Sequence, residues 1–145
     1  MKKVLYSFLI FASATVFAQK NTNTKFAVAN GAVGTLALFD AQKAYVQKAN
    51  NFKTKATLPQ NLKKYEFLAD NGLTEVTFKK EMGTLDVLLL SDYNMQHKLP
   101  KDAPVLIDGY EFTDSSTKIF SDIIGETAVQ TVNGTPTLVI TTKKK

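Results

Sequence analysis

Polar and apolar residues alternate over Leu73-Thr74-Glu75-Val76-Thr77-Phe78-Lys79, with Thr74, Val76 and Phe78 on one face. That period of two predicts a half-buried strand. Val105-Leu106-Ile107 is an unbroken apolar run, the pattern of a central strand. Asp108-Gly109 follows it and predicts a two-residue turn, because a type I′ hairpin needs positive φ at both central positions. Tyr110-Glu111-Phe112 is the return strand. The arrangement repeats with a strand over Glu126–Val132, a turn at Asn133-Gly134 and a closing strand over Thr137–Thr142. Pro136 has no N–H for a ladder, which predicts that the closing strand is an edge at that end. Leu138, Val139 and Ile140 are then its partner-facing residues.

The first half is less regular. Lys2 and Lys3, the apolar Val4–Phe11 and the small residues of Val16-Phe17-Ala18 predict a signal peptide over residues 1–18, cleaved before Gln19. Lys20–Lys25 is polar and aperiodic and predicts a mobile leader; Phe26–Ala29 is a short strand candidate ending at the Asn30-Gly31 turn. These features give a segment of leader and short strand over residues 19–34. Leu36, Phe39, Lys43, Val46 and Ala49 recur every three or four residues behind Thr35, a fair N-cap, and predict a helix over Leu36–Ala49. With the loop Asn50–Asn61 it forms a region over 35–61, expected as a loosely attached addition. Within 62–145, Lys64–Leu68 is a strand candidate and Asp70-Asn71-Gly72 a turn. Thr84 should cap a helix through Leu85, Leu88, Leu89 and Met95, with Asp86 in its first turn and Pro100 beyond its end. Asp114 or Ser116 should cap a short helix through Ile119, Phe120 and Ile123. The expected fold is a small α+β domain with a mixed sheet, two β-hairpins and two to three short helices.

Composition narrows the function classes. Without Lys2 and Lys3, 16 basic residues face 13 acidic ones, a net charge of +3 over the 127 residues from Gln19. Every basic residue is Lys; the absence of Arg argues against bidentate phosphate recognition and against nucleic acid as a partner. No Cys and one His leave no usual zinc set and no disulfide, so an exported chain of this size must be held by its core. No later segment is apolar for long enough to span a bilayer as a helix. His97, in Met95-Gln96-His97-Lys98-Leu99, is the only imidazole base, and neighbouring Ser91 and Asp92 do not make a triad by sequence proximity. Asp102 and Asp108 are the other acid candidates, but Asp108 is explained by its turn. Asp114, Asp122 and Glu126 lack the alternating spacing of a Ca²⁺ loop. Gly31-x-x-Gly34 lacks the Lys and the third Gly of a phosphate loop. Neither catalysis, a metal nor a cofactor is expected. Tyr45, Tyr65, Tyr93 and Tyr110 supply aromatics with polar tips but do not group by spacing, and Lys143–Lys145 reads as a solubilising tail.

Pro104-Val105-Leu106-Ile107-Asp108-Gly109, Asp122-Ile123-Ile124-Gly125-Glu126-Thr127-Ala128-Val129, and Asn133-Gly134 followed by Leu138-Val139-Ile140-Thr141-Thr142-Lys143 together resemble the plug domain of TonB-dependent outer-membrane receptors, in the form common among Bacteroidota. The resemblance covers residues 103–143. Two departures stand out. The Leu-Lys-Asp-Ala-x-Ala-x-x-x-Tyr-Gly segment usual before the closing strand is replaced by Gln130-Thr131-Val132, and a module without a barrel of its own is expected. The resemblance implies a plug-like module that binds an outer-membrane β-barrel protein from the periplasm and blocks or gates its pore. The host is a nutrient receptor or a protein-export channel such as the type 9 secretion translocon. The turns Asp108-Gly109 and Asn133-Gly134 would be the pore-facing loops. The alternative is a periplasmic or secreted binding module for a small ligand, peptide or glycan, which requires a concave site.

Overall fold

The computed structural model describes residues 20–80 and 85–143, which form a small α+β fold with two sheets. The signal-peptide expectation and Thr84 lie outside these residues. The first sheet has six strands in the order β3-β4-β1-β2-β8-β5. They are β1 (Phe26–Ala29), β2 (Ala32–Thr35), β3 (Val46–Phe52), β4 (Leu73–Phe78), β5 (Val87–Leu89) and β8 (Lys118–Phe120). The second has four, in the order β7-β6-β10-β9: β6 (Val105–Ile107), β7 (Tyr110–Phe112), β9 (Ile124–Val132) and β10 (Thr135–Thr142). Two short helices, α1 (Leu36–Ala41) and α2 (Leu90–Gln96), complete it with 3₁₀ segments, the longest over Gln60–Leu68.

The turn chemistry works as the dipeptides require. Asp108 and Gly109 have φ of 50° and 82°, and Asn133 and Gly134 have 51° and 79°, so both are I′-type hairpin turns. A third, Asn30-Gly31, at 52° and 76°, joins β1 to β2. β4 and β6 form where the apolar patterns place them.

Several elements differ from the sequence reading. The helix expected over Leu36–Ala49 ends at Ala41; Thr35 does cap it, accepting from the Leu38 N–H at 3.3 Å. Val46–Phe52 instead pairs antiparallel with β4, from Val46 opposite Phe78 to Phe52 opposite Leu73. The ladder overrides the local helical spacing and half-buries Val46 and Phe52 against the core. Lys64–Leu68 is not a strand: Leu62, Tyr65 and Leu68, three residues apart, face inward from one 3₁₀ segment. The helix expected from Thr84 starts at Leu90, because Val87–Leu89 pairs with β8; Asp92, not Asp86, occupies its first turn. Asp114 caps no helix. Its carboxylate accepts from the Ser116 N–H at 3.0 Å, closing a turn before β8, a strand paired on both sides.

The region 35–61 is not a loose addition. A single hydrophobic cluster runs from Phe26, Val33 and Phe39 through Leu58 and Leu62 to Ile107, Phe112, Ile119, Leu138 and Ile140. The two sheets meet through aromatic edges: Phe26 lies 5.1 Å from Tyr110 and 6.2 Å from Phe112, and Phe67 lies 5.0 Å from Phe112. Phe26, Tyr110 and Phe112 are buried and contribute roughly 1.5–3 kcal/mol each, with Phe67 half-buried beside them. The chain also crosses between sheets, from β7 to β8 and back to β9, so neither sheet is an independent unit. Gly34 is fixed by this packing, since a Cβ there would lie 3.0 Å from the Phe39 ring and 3.1 Å from Phe120.

Candidate functional site

Val105–Phe112 and Ile124–Thr142 supply the second sheet, with β10 antiparallel to β9 and parallel to β6. The closing strand is therefore interior over Leu138–Ile140, where β6 and β9 flank it and the three side chains are buried. These residues cannot form the partner-facing edge that Pro136 suggested. Pro136 lies beyond the β6 pairing, which begins at Leu138 opposite Val105, so its missing N–H costs no ladder bond there. Among the described residues the open edges of this sheet are β7 and β9.

The two predicted loops have opposite environments. Asp108 is turned inward and is 9% exposed. Its carboxylate accepts from the Thr24 hydroxyl at 2.6 Å, the Thr142 N–H at 2.9 Å and the Thr142 hydroxyl at 2.5 Å. Its backbone N–H donates to the Ile140 carbonyl at 2.9 Å, and its carbonyl accepts from the Asn21 N–H at 2.7 Å. Gly109 is half-buried beside it. The Asp108-Gly109 turn is thus a clip joining the leader, the first hairpin and the closing strand, and it is not a free loop. The leader expected to be mobile is held at several points. Besides the Asp108 bonds, the Lys20 ammonium lies 3.1 Å from Asp70, and the Asn71 amide donates to the Thr22 carbonyl. Lys20, with Lys55 at 3.2 Å, holds the Asp70 carboxyl below its ordinary range. Under this cover lies Tyr110, 1% exposed, whose hydroxyl has no hydrogen-bond partner among the described residues. Burial raises its pKa, with Asp70 and Asp108 adding to the rise.

Asn133 and Gly134, by contrast, are exposed at the tip of a projecting arm. Beyond Leu138, β9 and β10 pair only with each other, through Thr137–Gln130, Pro136–Thr131 and Thr135–Val132. From Thr127 to Thr142 the arm carries no charged residue, in a chain with 18 basic and 13 acidic ones. At its base, the Tyr93 hydroxyl of α2 lies 2.8 Å from the Thr127 hydroxyl. Gly125 sits in a bulge where a Cβ would meet the Thr141 carbonyl oxygen at 2.9 Å.

The other candidates fall apart spatially. His97 packs edge-on against Tyr93, 4.8 Å between centroids, at the C-terminal end of α2. Among the described residues no three His, Cys, Asp or Glu side chains converge as a metal site would need. Gly31 is a turn residue and Gly34 a packing residue, so they do not form one loop. Sequence spacing missed a cleft of about 340 Å³ between the 3₁₀ segment and the 113–117 loop with the start of β8, lined in part by Lys64, Tyr65, Phe67, Asp114, Ser116 and Lys118. The only local signal was Lys64-Tyr65 itself; the ammonium lies 5.0 Å from the centroid of its neighbour's ring. Among the described residues no helix is long and apolar enough to cross a membrane.

Comparison of the chain with protein-family models, with curated proteins and with solved structures finds no match.

Proposed function

We propose that the chain is a non-enzymatic plug or accessory subunit. In this reading it is exported to the periplasm and acts at the mouth of an outer-membrane β-barrel, either a nutrient receptor or a type 9 secretion translocon. The observation that carries this reading is the uncharged β9–β10 arm. It is a two-stranded projection with an exposed Asn133-Gly134 tip, built from residues that resemble a plug domain. Its root is rigid, because β6 and the Asp108 clip hold β10 while Tyr93 holds β9. An arm of this kind brings no charge against a lumen wall that would then need a partner of opposite sign. Asn133-Gly134 stays in the role of pore-facing loop, whereas Asp108-Gly109 does not, because it is committed to the clip. Affinity-tagged chain should copurify from detergent-solubilised outer membranes with a β-barrel protein, and a photo-cross-linking residue at position 133 should join the two. Recovery of the chain without a barrel, or cross-linking that is equally efficient from exposed Lys48 on the far sheet, removes the reading.

The cleft favours the second reading, a binding module for a small ligand, peptide or glycan. Lys64 and Lys118 offer ammonium donors beside the Tyr65 and Phe67 rings. NMR titration with acidic oligosaccharides should shift these residues together; no shift at millimolar ligand ends this alternative.

A further inference from the structure

We propose that β9 is a self-pairing edge: Glu126–Val132 adds antiparallel to the same strand of a second copy, with the two-fold axis at Val129. The hydrogen-bond phase of the strand sets this up. In a two-residue hairpin the residues flanking the turn form a hydrogen-bonded pair, and such pairs then alternate along the ladder. Val132 and Thr135 flank the turn, and the register runs without interruption to Glu126 opposite Thr141. Residues 126, 128, 130 and 132 therefore spend their backbone groups on β10. The N–H and C=O groups of Thr127, Val129 and Thr131 point away from it, toward an edge that no described strand covers. An exposed row of this kind is a template for another strand.

The remaining edges are blunted along their length, whereas on β9 the bulge at Gly125 and the one charge, Glu126, lie at its start and leave Thr127–Val132 clear. β3 carries a register shift between Val46 and Lys48 and has Lys48 exposed on it. β5 and β7 are three residues each, and β7 has Glu111 at its centre. β9 is nine residues long, with no Pro and no Lys, and Val129 is 45% exposed.

The occupant follows from the register. Antiparallel pairing about Val129 places Val129 opposite Val129 of the second copy, and Thr127 opposite Thr131 of the second copy. All of these positions have outward backbone groups, so every hydrogen bond can form. Cross-strand Thr–Thr and β-branched pairs are favourable. The one charge on the edge, Glu126, falls opposite Val132 of the second copy, so no like charges meet. The union converts two four-stranded sheets into one continuous sheet and leaves both Asn133-Gly134 tips exposed. It does not depend on the plug reading.

Backbone-amide hydrogen exchange and sedimentation on the purified chain, each across a range of concentrations, test it. The amides of Thr127, Val129 and Thr131 should exchange rapidly at dilution and slow as a dimer forms, while those of residues 126, 128, 130 and 132 stay protected throughout. Val129→Pro deletes only an outward donor and should give a monomer with an unchanged fold. Val129→Lys sets two ammonium groups on the axis and should weaken self-association by roughly tenfold or more, equivalent to ~1.4 kcal/mol. Val129→Thr should leave the dimer intact. A chain that remains monomeric at millimolar concentration, or outward amides slowed only when a different protein is added, overturns the proposal. So does a dimer that survives both Val129→Pro and Val129→Lys.

Discussion

Replacing Asp108 tests how the C-terminal sheet is fastened to the rest of the molecule. Asp108→Ala removes three acceptor contacts, to the Thr24 hydroxyl and to the Thr142 N–H and hydroxyl. A hydrogen bond to a charged group contributes about 1.5–3 kcal/mol, and three bonds on one carboxylate are not additive. Ala must also adopt the φ of 50° held by Asp108, which adds roughly 1–2 kcal/mol. The expected loss is about 3–5 kcal/mol. For a domain of this size that lowers Tm by roughly 10–20 °C. Asp108→Gly separates the two contributions, since it loses the same bonds without the backbone strain and should fall about 1 kcal/mol short of the Ala variant. Asp108→Asn keeps both the conformation and an oxygen for Thr142, and should cost about 1–2 kcal/mol. Denaturant unfolding supplies the free energies if the m-value is unchanged. Hydrogen exchange adds a local readout: the Asn21 amide, bonded to the Asp108 carbonyl, should lose protection in the Ala variant before the β4 amides do. An Ala variant within about 0.5 kcal/mol of the parent, or one costlier for Asn than for Gly, refutes the clip.

Tyr110→Phe removes a buried hydroxyl that lacks a partner while keeping the ring against Phe26. Unfolding should show stability unchanged or raised by up to about 1 kcal/mol; a loss above that reveals a bond the hydroxyl does make. Asp70→Asn removes two surface ion pairs, and urea titrations at pH 7 should show a loss of about 1 kcal/mol or less in low salt. Because folding lowers the Asp70 pKa, its contribution is fully present well above the ordinary value of 3.8 and fades as pH falls through the lower folded value. Parent and variant curves should therefore converge in acid; divergence there contradicts the assignment. Gly125→Ala drives a Cβ to 2.9 Å from a backbone oxygen and should cost about 1–3 kcal/mol by thermal unfolding, whereas exposed Gly134, with open space around it, loses only its turn geometry.

The C-terminal sheet was legible because its signals are local. Asp108-Gly109 and Asn133-Gly134 require positive φ, and the apolar run Val105–Ile107 is buried on both sides. What sequence could not supply were pairings between distant segments. Val46–Phe52 has a helix-like spacing, yet β4 offers it a ladder. Ile119 and Phe120 sit in a strand rather than a helix because β2 and β5 flank them. Leu62, Tyr65 and Leu68 carried a readable period of three, which a search for periods of two and 3.6 passes over. At the candidate site, Asn133-Gly134 forms the hairpin turn its dipeptide predicts, exposed at the tip of β9 and β10. The inward turn of Asp108 depends on Thr24 and Thr142, far from it in sequence. The open edge moved from Leu138–Ile140 to β9 because β6 occupies the other side of β10, a parallel pairing that no short-range pattern encodes.

Outer-membrane permeability in cells lacking the chain tests the plug reading most directly. Deletion should admit a large hydrophilic antibiotic such as vancomycin, and expression of the parent chain in trans should restore the barrier. A variant lacking the arm tip, with Val132–Thr135 replaced by a shorter Gly-containing turn, should fail to restore it while still folding. Permeability unchanged by deletion, or restored equally by the tip-less variant, contradicts the account.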